Sequence, residues 1–504
     1  MDNFLSVLEE INGKINGIVW GVPALVLLIG TGVLMTVLTG FFQFTHFGLW
    51  MRETILSVFR KKDVLKSDDK ASISQFQALC TALSATIGTG NIAGIAYAIT
   101  MGGPGAVFWM WIAAIVGMMT NYSENVLGIF YRRKNKDGEW CGGAMYYLRD
   151  GLGGKKGLSG VGKTLGLLFA IFATIASFGI GNMGQVVSIK ESVLNVVSFT
   201  GNPKTDAFIV GFAVMFMAFL VIIGGLKRIA SANERIVPFM SLFYIIGSLI
   251  IIVLNAKNIG PAFAAIFSHA FSLKAAAGGV GGSIIAQAMT WGFKRGVFSN
   301  EAGLGSSVMV HSASNVKEPI VQGLWGIFEV FFDTIIVCTM TALVILTSNV
   351  VDLDTGASFS GVTKLGLAAE AFGNTFGVAG SIFIAVAVTL FAFSTILGWS
   401  YYGTKTWEYL FGTKSTIIYK IVFVGMILAG CVLSADLIID LSDTFNGLMA
   451  IPNLIGVVSL SGIVMKLTKN YLARKVKGEK IEPMLSFFED IQKVHAAAIE
   501  AEEN

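Results

Sequence analysis

Apolar stretches recur along most of this chain, each roughly 20 residues long, which is the length an α-helix needs to cross the hydrocarbon core of a bilayer. Only 13% of the 504 residues are charged, and 54% are hydrophobic. A soluble domain carries about 25% charged residues. The chain is therefore predicted to be an all-α polytopic membrane protein.

Eleven membrane helices are predicted from these stretches, one leading helix near 22–45 and two sets of five. The first set covers 73–100, 104–131, 164–190, 207–226 and 236–254, and the second covers 280–312, 320–347, 376–410, 416–434 and 443–466. An odd number of crossings places the two termini on opposite sides of the membrane.

The same pattern divides the chain into three parts. Residues 1–20 space their apolar side chains three and four apart, which predicts an amphipathic helix on the membrane surface. Residues 21–466 form the transmembrane domain, and 467–504 form a cytoplasmic tail. Within the domain, the leading helix and its loop occupy 21–72, a first repeat occupies 73–255, and a second repeat occupies 256–466.

Basic residues indicate the orientation of these helices. Lys and Arg concentrate in alternate loops, with runs at 60–62 and 132–136. Because loops rich in Lys and Arg stay in the cytoplasm, the N-terminus is predicted outside the cell and the C-terminus inside. The chain is expected to be a multi-pass protein of the cell membrane.

One predicted helix is interrupted near its middle by Ser84-Ala-Thr-Ile-Gly-Thr-Gly-Asn-Ile-Ala-Gly94. Glycine lets the backbone leave helical geometry. In lipid, each freed N–H or C=O group costs several kcal/mol unless it finds a partner. The break is therefore predicted to line a cavity in which an anion meets the N–H groups and a cation meets the carbonyls. Secondary transporters bind substrate and ion in this way.

A second interrupted segment, 284–305, combines Gly292, Gly296, Gly303 and Gly305 with charged residues. The second break falls in the fifth helix after the first break, an odd offset, so the two halves are predicted to have opposite topology. The charged residues are expected in the cytoplasmic half of the break, as structural pairs or as part of an inner gate. They are Lys294, Arg295 and Glu301, with Glu124, Glu329 and Asp333 as expected partners across the bundle.

Four segments carry a resemblance to a known family: FFQFTHF (41–47), ATIGTGNIAG (85–94), GGPGAVFWMWIAAIVG (102–117) and WGFKRGVFSNEAGLGSS (291–307). Together they resemble the alanine or glycine:cation symporter family, the sodium:alanine symporters. The resemblance covers nearly the whole chain except the tail. It implies the leucine-transporter fold, two inverted five-helix repeats preceded here by an extra helix. It also implies sodium-driven uptake of alanine, glycine or a similar small neutral amino acid.

The predicted substrate site is built around the first break. The backbone N–H groups of Thr89, Gly90 and Asn91 suit a carboxylate, because the N-terminus of a half-helix is positive. The full predicted set is Thr86, Gly88, Thr89, Gly90, Asn91, Gln185, Trp291, Gly292 and Trp399.

The other members of this set are assigned to the rest of the amino acid. Its ammonium group needs acceptors, for which Gln185, Thr86 and the carbonyls around Trp291 and Gly292 are predicted. Its side chain needs a small slot, which Trp399 is predicted to limit, with Trp291 as the second choice.

The resemblance also implies a sodium site between the first broken helix and the eighth core helix. It assigns the carbonyls of Ser84 and Ile87 and the hydroxyls of Ser394 and Thr395 as ligands, with Phe391 as a further carbonyl donor. The alternative for the two hydroxyls is that they bond back to their own helix. Sodium is the expected co-transported ion, and no organic cofactor is expected.

Other functions are disfavoured. Gly157 to Thr164 fits the phosphate-loop pattern, but it lies in a short loop without the α/β domain that the pattern requires. An enzyme is therefore not predicted. A proton-coupled transporter of the same fold remains an alternative, and so does a channel, which would need a continuous pore. The expected partners are a small neutral amino acid, sodium and lipid, with no nucleic acid and no obligatory protein partner.

Overall fold

A computed structural model of the chain describes residues 2–67, 69, 71–271, 281–432 and 436–503. These residues are mostly helical. A short antiparallel hairpin, β1 (Arg133–Lys134) paired with β2 (Trp140–Cys141), lies in the loop after the second core helix. The all-α architecture expected from the sequence is confirmed.

The first part of the chain holds the leading helices and the first repeat. The helices are α1 (Asp2–Val19), α2 (Val22–Leu38), α3 (Phe42–Thr45), α4 (Phe47–Glu53), α5 (Lys62–Leu65), α6 (Gln75–Thr86), α7 (Ala93–Gly102), α8 (Gly105–Phe130), α9 (Ala144–Tyr146), α10 (Ser159–Phe178), α11 (Gly184–Leu194), α12 (Pro203–Ile222) and α13 (Gly225–Leu254). Residues Tyr147–Leu152, after α9, are π-helical. Two further π-helical segments link membrane helices, and the first of these two, Gly179–Met183, joins α10 to α11 and is called the first π-helical segment below.

The second part holds the other repeat and the tail. The helices are α14 (Ile259–Ala270), α15 (Gly281–Asn300), α16 (Val308–His311), α17 (Pro319–Val330), α18 (Thr339–Thr347), α19 (Lys364–Phe376), α20 (Val378–Phe411), α21 (Thr416–Val432), α22 (Asp436–Ser459), α23 (Ser461–Lys475) and α24 (Glu489–Glu503). A second π-helical segment, Phe331–Cys338, joins α17 to α18.

Many of these helices are long and apolar enough to cross a bilayer. Eight stretches of the described chain meet that condition, and two bent pairs, α6 with α7 and α22 with α23, bring the number to ten. The chain is therefore a multi-pass membrane protein. Helix α15, which carries Lys294 and Arg295, would be the eleventh crossing, and the count of eleven remains a prediction.

Corresponding helices of the two halves pack on one another. Helix α7 contacts α15, α8 contacts α17, α10 contacts α20, and α12 contacts α21. In each pair, one helix of the first repeat meets its counterpart in the second. This arrangement is the one expected when two similar halves are related by an approximate twofold axis, and it brings both broken segments to the middle of the bundle.

Helix α1 packs on α22 and α2. The Asn16 amide donates to Asp443 Oδ2 at 2.9 Å, and the Trp20 indole donates to the Asp443 carbonyl at 3.2 Å. Ile15 and Ile18 stay exposed on the other side of the helix. The assignment of residues 1–20 as a membrane-surface helix remains a prediction, and these exposed side chains are the ones that lipid would cover.

The C-terminal tail packs on the end of α8 and on the hairpin. The Phe487 N–H donates to the Phe130 carbonyl at 2.9 Å, and His495 lies against Trp140. Burial, together with the neighbouring cations Arg132, Lys317 and Lys134, lowers the pKa of His495 to about 4. The tail therefore docks with a neutral imidazole at neutral pH.

All four cysteines of the chain are buried and carry free thiols. They are Cys80, Cys141, Cys338 and Cys431. They are scattered along the sequence, and their spacing shows no disulfide or metal pattern.

Candidate functional site

The first broken helix unwinds where the glycines predicted it. Helix α6 ends at Thr86, Ile87 leaves helical geometry with φ −79° and ψ 85°, and Gly88 is extended. A 3₁₀ turn, Thr89–Asn91, leads into α7, and the two halves meet at an angle of 58°. The backbone therefore changes direction inside the apolar part of the chain.

Two backbone donors at this break are free. The N–H groups of Thr89 and Gly90 make no hydrogen bond to any described residue, and both residues are partly exposed. They lie at the N-terminal end of α7, where the helix dipole is positive. This is the geometry that binds an anion.

Asn91 stabilises the turn at the break, so its backbone N–H group is not a free donor. Its N–H donates to the Gly88 carbonyl at 3.2 Å, and its Oδ1 accepts from the Gly88 N–H at 2.9 Å. The predicted role of the Asn91 N–H group in holding a carboxylate is therefore wrong, because the turn itself uses that donor. The Thr86 hydroxyl likewise bonds back to its own helix, while the Thr86 carbonyl accepts from Gly88 at 3.0 Å.

Gln185 reaches the break from the start of α11, directly after the first π-helical segment. Its Oε1 accepts from the Thr89 hydroxyl at 3.2 Å, and its Nε2 donates to the Ile180 carbonyl at 3.0 Å. A Cβ atom on Gly88 would lie 3.6 Å from Gln185 Oε1. A π-bulge, which is a feature common at functional sites, therefore lies directly before Gln185, and the side-chain amide of Gln185 lies beside the free N–H groups.

Helix α20 supplies a hydroxyl to the other side of the break. Thr395 Oγ1 donates to the Ser84 carbonyl and lies 2.9 Å from the Phe391 carbonyl as well. A Cβ atom on Gly88 would lie 2.7 Å from Thr395 Oγ1. Three oxygens from α6 and α20 therefore meet behind the break, which is the donor chemistry that a sodium ion requires.

The structure supports the other predicted sodium ligands, Ser394 and Ile87, less directly than it supports Thr395. Ser394 Oγ donates to the Phe391 carbonyl at 2.9 Å, so this hydroxyl bonds back to its own helix. The side chain of Ile87 is buried, and its carbonyl lies just beyond the end of α6. Adjacent residues of a helix point about 100° apart, which explains why Thr395 reaches α6 and Ser394 does not.

The second break lies further along the chain than predicted. Helix α15 continues through Trp291 and Gly292 to Asn300, and the chain unwinds over 301–307, where Gly303 and Gly305 have φ values of 92° and 74°. Only glycine adopts such a conformation without strain. The prediction that carbonyls around Trp291 and Gly292 are freed is therefore wrong.

Gly292 has a different physical role. A Cβ atom there would lie 2.5 Å from the Ala106 carbonyl, so the glycine permits close packing of α15 on α8. Trp291 lies against Tyr97, with ring centroids 5.1 Å apart. Both residues thus stand several turns from the unwound segment of their own helix.

Trp399 covers the second break. Its indole donates to Glu301 Oε1 at 3.1 Å, and Ser306 donates to the other oxygen of the same carboxylate. A Cβ atom on Gly181 would lie 2.3 Å from Trp399 Cβ, so the ring also packs against the first π-helical segment. A direct pair of Glu301 with Arg295, one of the two roles expected for them, is not formed, because Arg295 lies over Tyr97 of α7. Lys294 and Arg295 precede the unwound segment and Arg295 packs beside α7, so in the predicted orientation their expected place in the cytoplasmic half of the break is wrong.

Asp333 joins the two breaks, which the sequence did not reveal. It is fully buried in the second π-helical segment. Its Oδ1 accepts from the Asn91 amide at 2.6 Å, and its Oδ2 accepts from Ser299 at 2.9 Å and Thr334 at 2.8 Å. The sequence does show a carboxylate inside an apolar stretch, and such a residue indicates a functional position. It does not show which residues the carboxylate contacts.

Residues 5–485 match the sequence model of the Sodium:alanine symporter family. The chain belongs to this family. As a sodium:alanine symporter family member it is a transporter and not an enzyme, and the family resemblance stated from the sequence motifs is confirmed.

Individual relatives match this chain over nearly its whole length. The Sodium/alanine symporter AgcS of Methanococcus maripaludis is 44% identical over 472 residues, which is 93% of this chain and 97% of the relative. The Probable sodium/glutamine symporter GlnT of Bacillus subtilis is 35% identical over 490 residues, 97% of this chain and 95% of the relative. The names of these relatives include two amino acids, so family membership alone does not choose the substrate.

A solved structure supports the fold of this family member. The crystal structure of MhsT in complex with L-phenylalanine matches with a TM-score of 0.50 at 13% identity, covering 80% of this chain and 99% of the other. At that identity the likeness shows the fold alone. The leucine-transporter fold expected from the sequence is thereby confirmed.

Proposed function

We propose that this protein is a sodium-coupled symporter that carries a small neutral amino acid, alanine or glycine, into the cell by alternating access. The observation that carries the proposal is the pair of free N–H groups at Thr89 and Gly90, next to the Gln185 amide and in front of the contact between Ser84 and Thr395. Groups that suit an anion and groups that suit a cation therefore lie next to each other at the first break.

The free N–H groups hold the carboxylate of the amino acid, and the positive end of α7 stabilises its charge. Gln185 Oε1 and the Thr86 carbonyl accept from the ammonium group, because both oxygens border the same turn. The partners of the zwitterion are therefore neutral, so no buried countercharge is needed.

The slot for the side chain is small. Phe298 lies against Gly90, 3.6 Å from the position of a Cβ atom there, and Trp399 packs tightly on Gly181. Phe298 limits the space at the first break and Trp399 limits the space at the second, which favours a hydrogen or a methyl group over a larger side chain.

Sodium binds behind the break, to the carbonyls of Ser84 and Ile87 and the hydroxyl of Thr395, with Ser394 and the Phe391 carbonyl beside them. These oxygens belong to both α6 and α20. Binding therefore ties the broken helix to α20, and this changes the shape of the substrate site. Each sodium ion that moves inward down a membrane potential of 100 mV gains about 2.3 kcal/mol, which supports about 50-fold accumulation.

Uptake into proteoliposomes tests this function. Purified protein should accumulate radiolabelled L-alanine or glycine above equilibrium when sodium is higher outside, and the gradient should be consumed in proportion. Uptake that does not saturate, or that ignores the sodium gradient, contradicts symport.

Proton coupling is the second candidate, because the buried carboxylate of Asp333 lies next to the first break. A proton gradient imposed without sodium separates the two proposals. Accumulation under that gradient alone supports the proton-coupled alternative and contradicts the sodium proposal.

Replacing Thr395 with Val should weaken sodium dependence. The change keeps the shape of the side chain and removes one oxygen from the set shared by α6 and α20. Loss of one such contact costs about 1 kcal/mol, so the sodium concentration for half-maximal uptake should rise about fivefold. The matched control is Thr389→Val, since the Thr389 hydroxyl bonds only within α20, to Ala385. An unchanged sodium dependence in Thr395→Val contradicts the ion assignment.

Replacing Trp399 with Ala should widen the slot. Each methylene that a pocket gains or loses is worth about 1–3 kcal/mol in discrimination, so uptake of leucine relative to alanine should rise at least about fivefold. The measurement is competition between the two labelled amino acids. Trp407→Ala, on the same helix but bonded to Ser415, is the control. An unchanged ratio removes Trp399 from the slot.

A further inference from the structure

Arg295 lies beside α7, beyond the free N–H groups of the first break. A Cβ atom on Gly94 would lie 4.0 Å from Arg295 Cδ, and one on Gly90 would lie 3.6 Å from Phe298. Helices α7 and α15 therefore run antiparallel in contact, and Gly94 and Tyr97, three residues apart, share the face of α7 that meets α15. In the proposed orientation this face leads outward, so Arg295 borders the path from the outside to Thr89 and Gly90.

The guanidinium group of Arg295 is surrounded by aromatic rings and lacks an anionic partner. Its central carbon lies 5.0 Å from the Tyr97 ring, 5.4 Å from the Phe298 ring and 5.7 Å from the Trp291 ring. Its Nε is buried without a hydrogen bond, and within the described part of the chain no carboxylate lies within ion-pair distance of the group. A guanidinium has five N–H donors, and here the protein satisfies none of them with an anion.

Other charges around the same rings are mostly positive. The Lys294 ammonium lies 5.7 Å from the Trp291 ring, and the Lys364 ammonium lies 5.3 Å from the Tyr97 ring. Asp443 of α22 is within electrostatic range of Lys294 and Arg295, but its Oδ2 accepts from Asn16. The outer path thus presents several cations around one aromatic cluster, which attracts a negative group.

We propose that Arg295 forms an outer carboxylate-binding site, which holds the carboxylate of the amino acid before it moves to Thr89 and Gly90. The inference rests on the proposed amino acid transport. A guanidinium offers two parallel N–H donors that match both oxygens of a carboxylate, and the surrounding rings exclude water from the pair.

The two carboxylate positions are separate. The Arg295 side chain packs on Gly94, four residues beyond Gly90, and its guanidinium lies over Tyr97, seven residues beyond Gly90, which places the group about 6–10 Å past Gly90 at the rise of a helix. A carboxylate that uses both parallel N–H donors of Arg295 does not also reach the N–H groups of Thr89 and Gly90. The amino acid therefore occupies the two positions one after the other, and the outer position is specific for the carboxylate while the inner one also recognises the ammonium group.

The test compares Arg295→Gln, Arg295→Lys and the wild type in proteoliposomes at constant sodium, with radiolabelled L-alanine as the probe. In Arg295→Gln the half-saturating alanine concentration should rise about fivefold with the maximal rate retained, because a charge-assisted contact is lost. The half-saturating alanine concentration of Arg295→Lys should lie between those of Arg295→Gln and the wild type. Lys204→Gln, which removes an exposed positive charge at the start of α12, is the control and should match the wild type.

Ionic strength supplies a second readout, and its measurement on the wild type does not depend on any variant folding. Raising choline chloride at constant sodium should raise the half-saturating concentration of the wild type, since salt screens attraction to a partly open cation. The same salt should have little effect on Arg295→Gln. An absent salt effect in the wild type overturns the proposal, and so does Arg295→Gln with unchanged half-saturation or a loss confined to the maximal rate. Failure of the wild type to take up alanine at all contradicts the proposed function instead.

Discussion

Gly88→Val should abolish measurable uptake, and Gly88→Ala should lower it at least about fivefold, because overpacking a close contact costs about 1–3 kcal/mol. The first added atom would lie 2.7 Å from Thr395 Oγ1. The strained contact separates Thr395 from the Ser84 carbonyl, so the proposed ion ligands no longer meet. The measurement is sodium-driven alanine uptake, normalised to monodisperse protein in the membrane.

The control for this change is Gly425→Ala. Gly425 lies in the membrane helix α21, and a Cβ atom there would meet no other atom within 4 Å. The control should keep wild-type uptake. If Gly88→Val transports normally, the close approach between the break and α20 is not needed for transport and the ion site must lie elsewhere.

Asp333→Asn should reduce uptake by about 10- to 100-fold. The carboxylate accepts hydrogen bonds from Asn91, Ser299 and Thr334, using both oxygens. An asparagine has one carbonyl oxygen, so its NH₂ group faces either the Asn91 amide or the two hydroxyls, which must then turn to accept and give up Oδ2 as their own acceptor. In either case a buried donor loses its acceptor, which costs about 1–3 kcal/mol. Because Asn91 also shapes the turn at Gly88, the loss reaches the substrate site.

Binding and transport measurements should separate the effect of Asp333→Asn from simple unfolding. We expect monodisperse protein with weaker alanine binding and slower uptake. Asp354→Asn, an exposed carboxylate in the loop before α19, is the matched control and should behave as the wild type. Normal alanine affinity in Asp333→Asn would show that the link between the two breaks is not required for the binding geometry.

The first break was predictable because its signal is local. Gly88 and Gly90 alternate with polar residues inside an apolar helix, and few functions other than unwinding explain that pattern. Thr395 was placed by the resemblance to a family, and the structure brings its hydroxyl to Ser84. The sequence also carried the fold class, since apolar length and the positions of basic loops are nearly independent of tertiary packing.

The second break was misplaced because two kinds of glycine look alike in a sequence. Gly292 allows close contact with α8, whereas Gly303 and Gly305 allow backbone conformations with positive φ. Only the position of α8 distinguishes the two cases. The link between Asn91 and Asp333 was missed for a related reason, since the two residues are 242 positions apart and neither periodicity nor composition reports a partner at that distance.

The burial of all four native thiols has a practical consequence for following the transport cycle. A membrane-impermeant maleimide has no exposed native target on the folded protein, because a thiol must meet solvent to react. Reporter cysteines can therefore be introduced one at a time along the outer path while the native ones stay in place. Cys338 then keeps its contacts with Asn91 and Ser299, and the labelled protein retains the linkage between its two unwound segments.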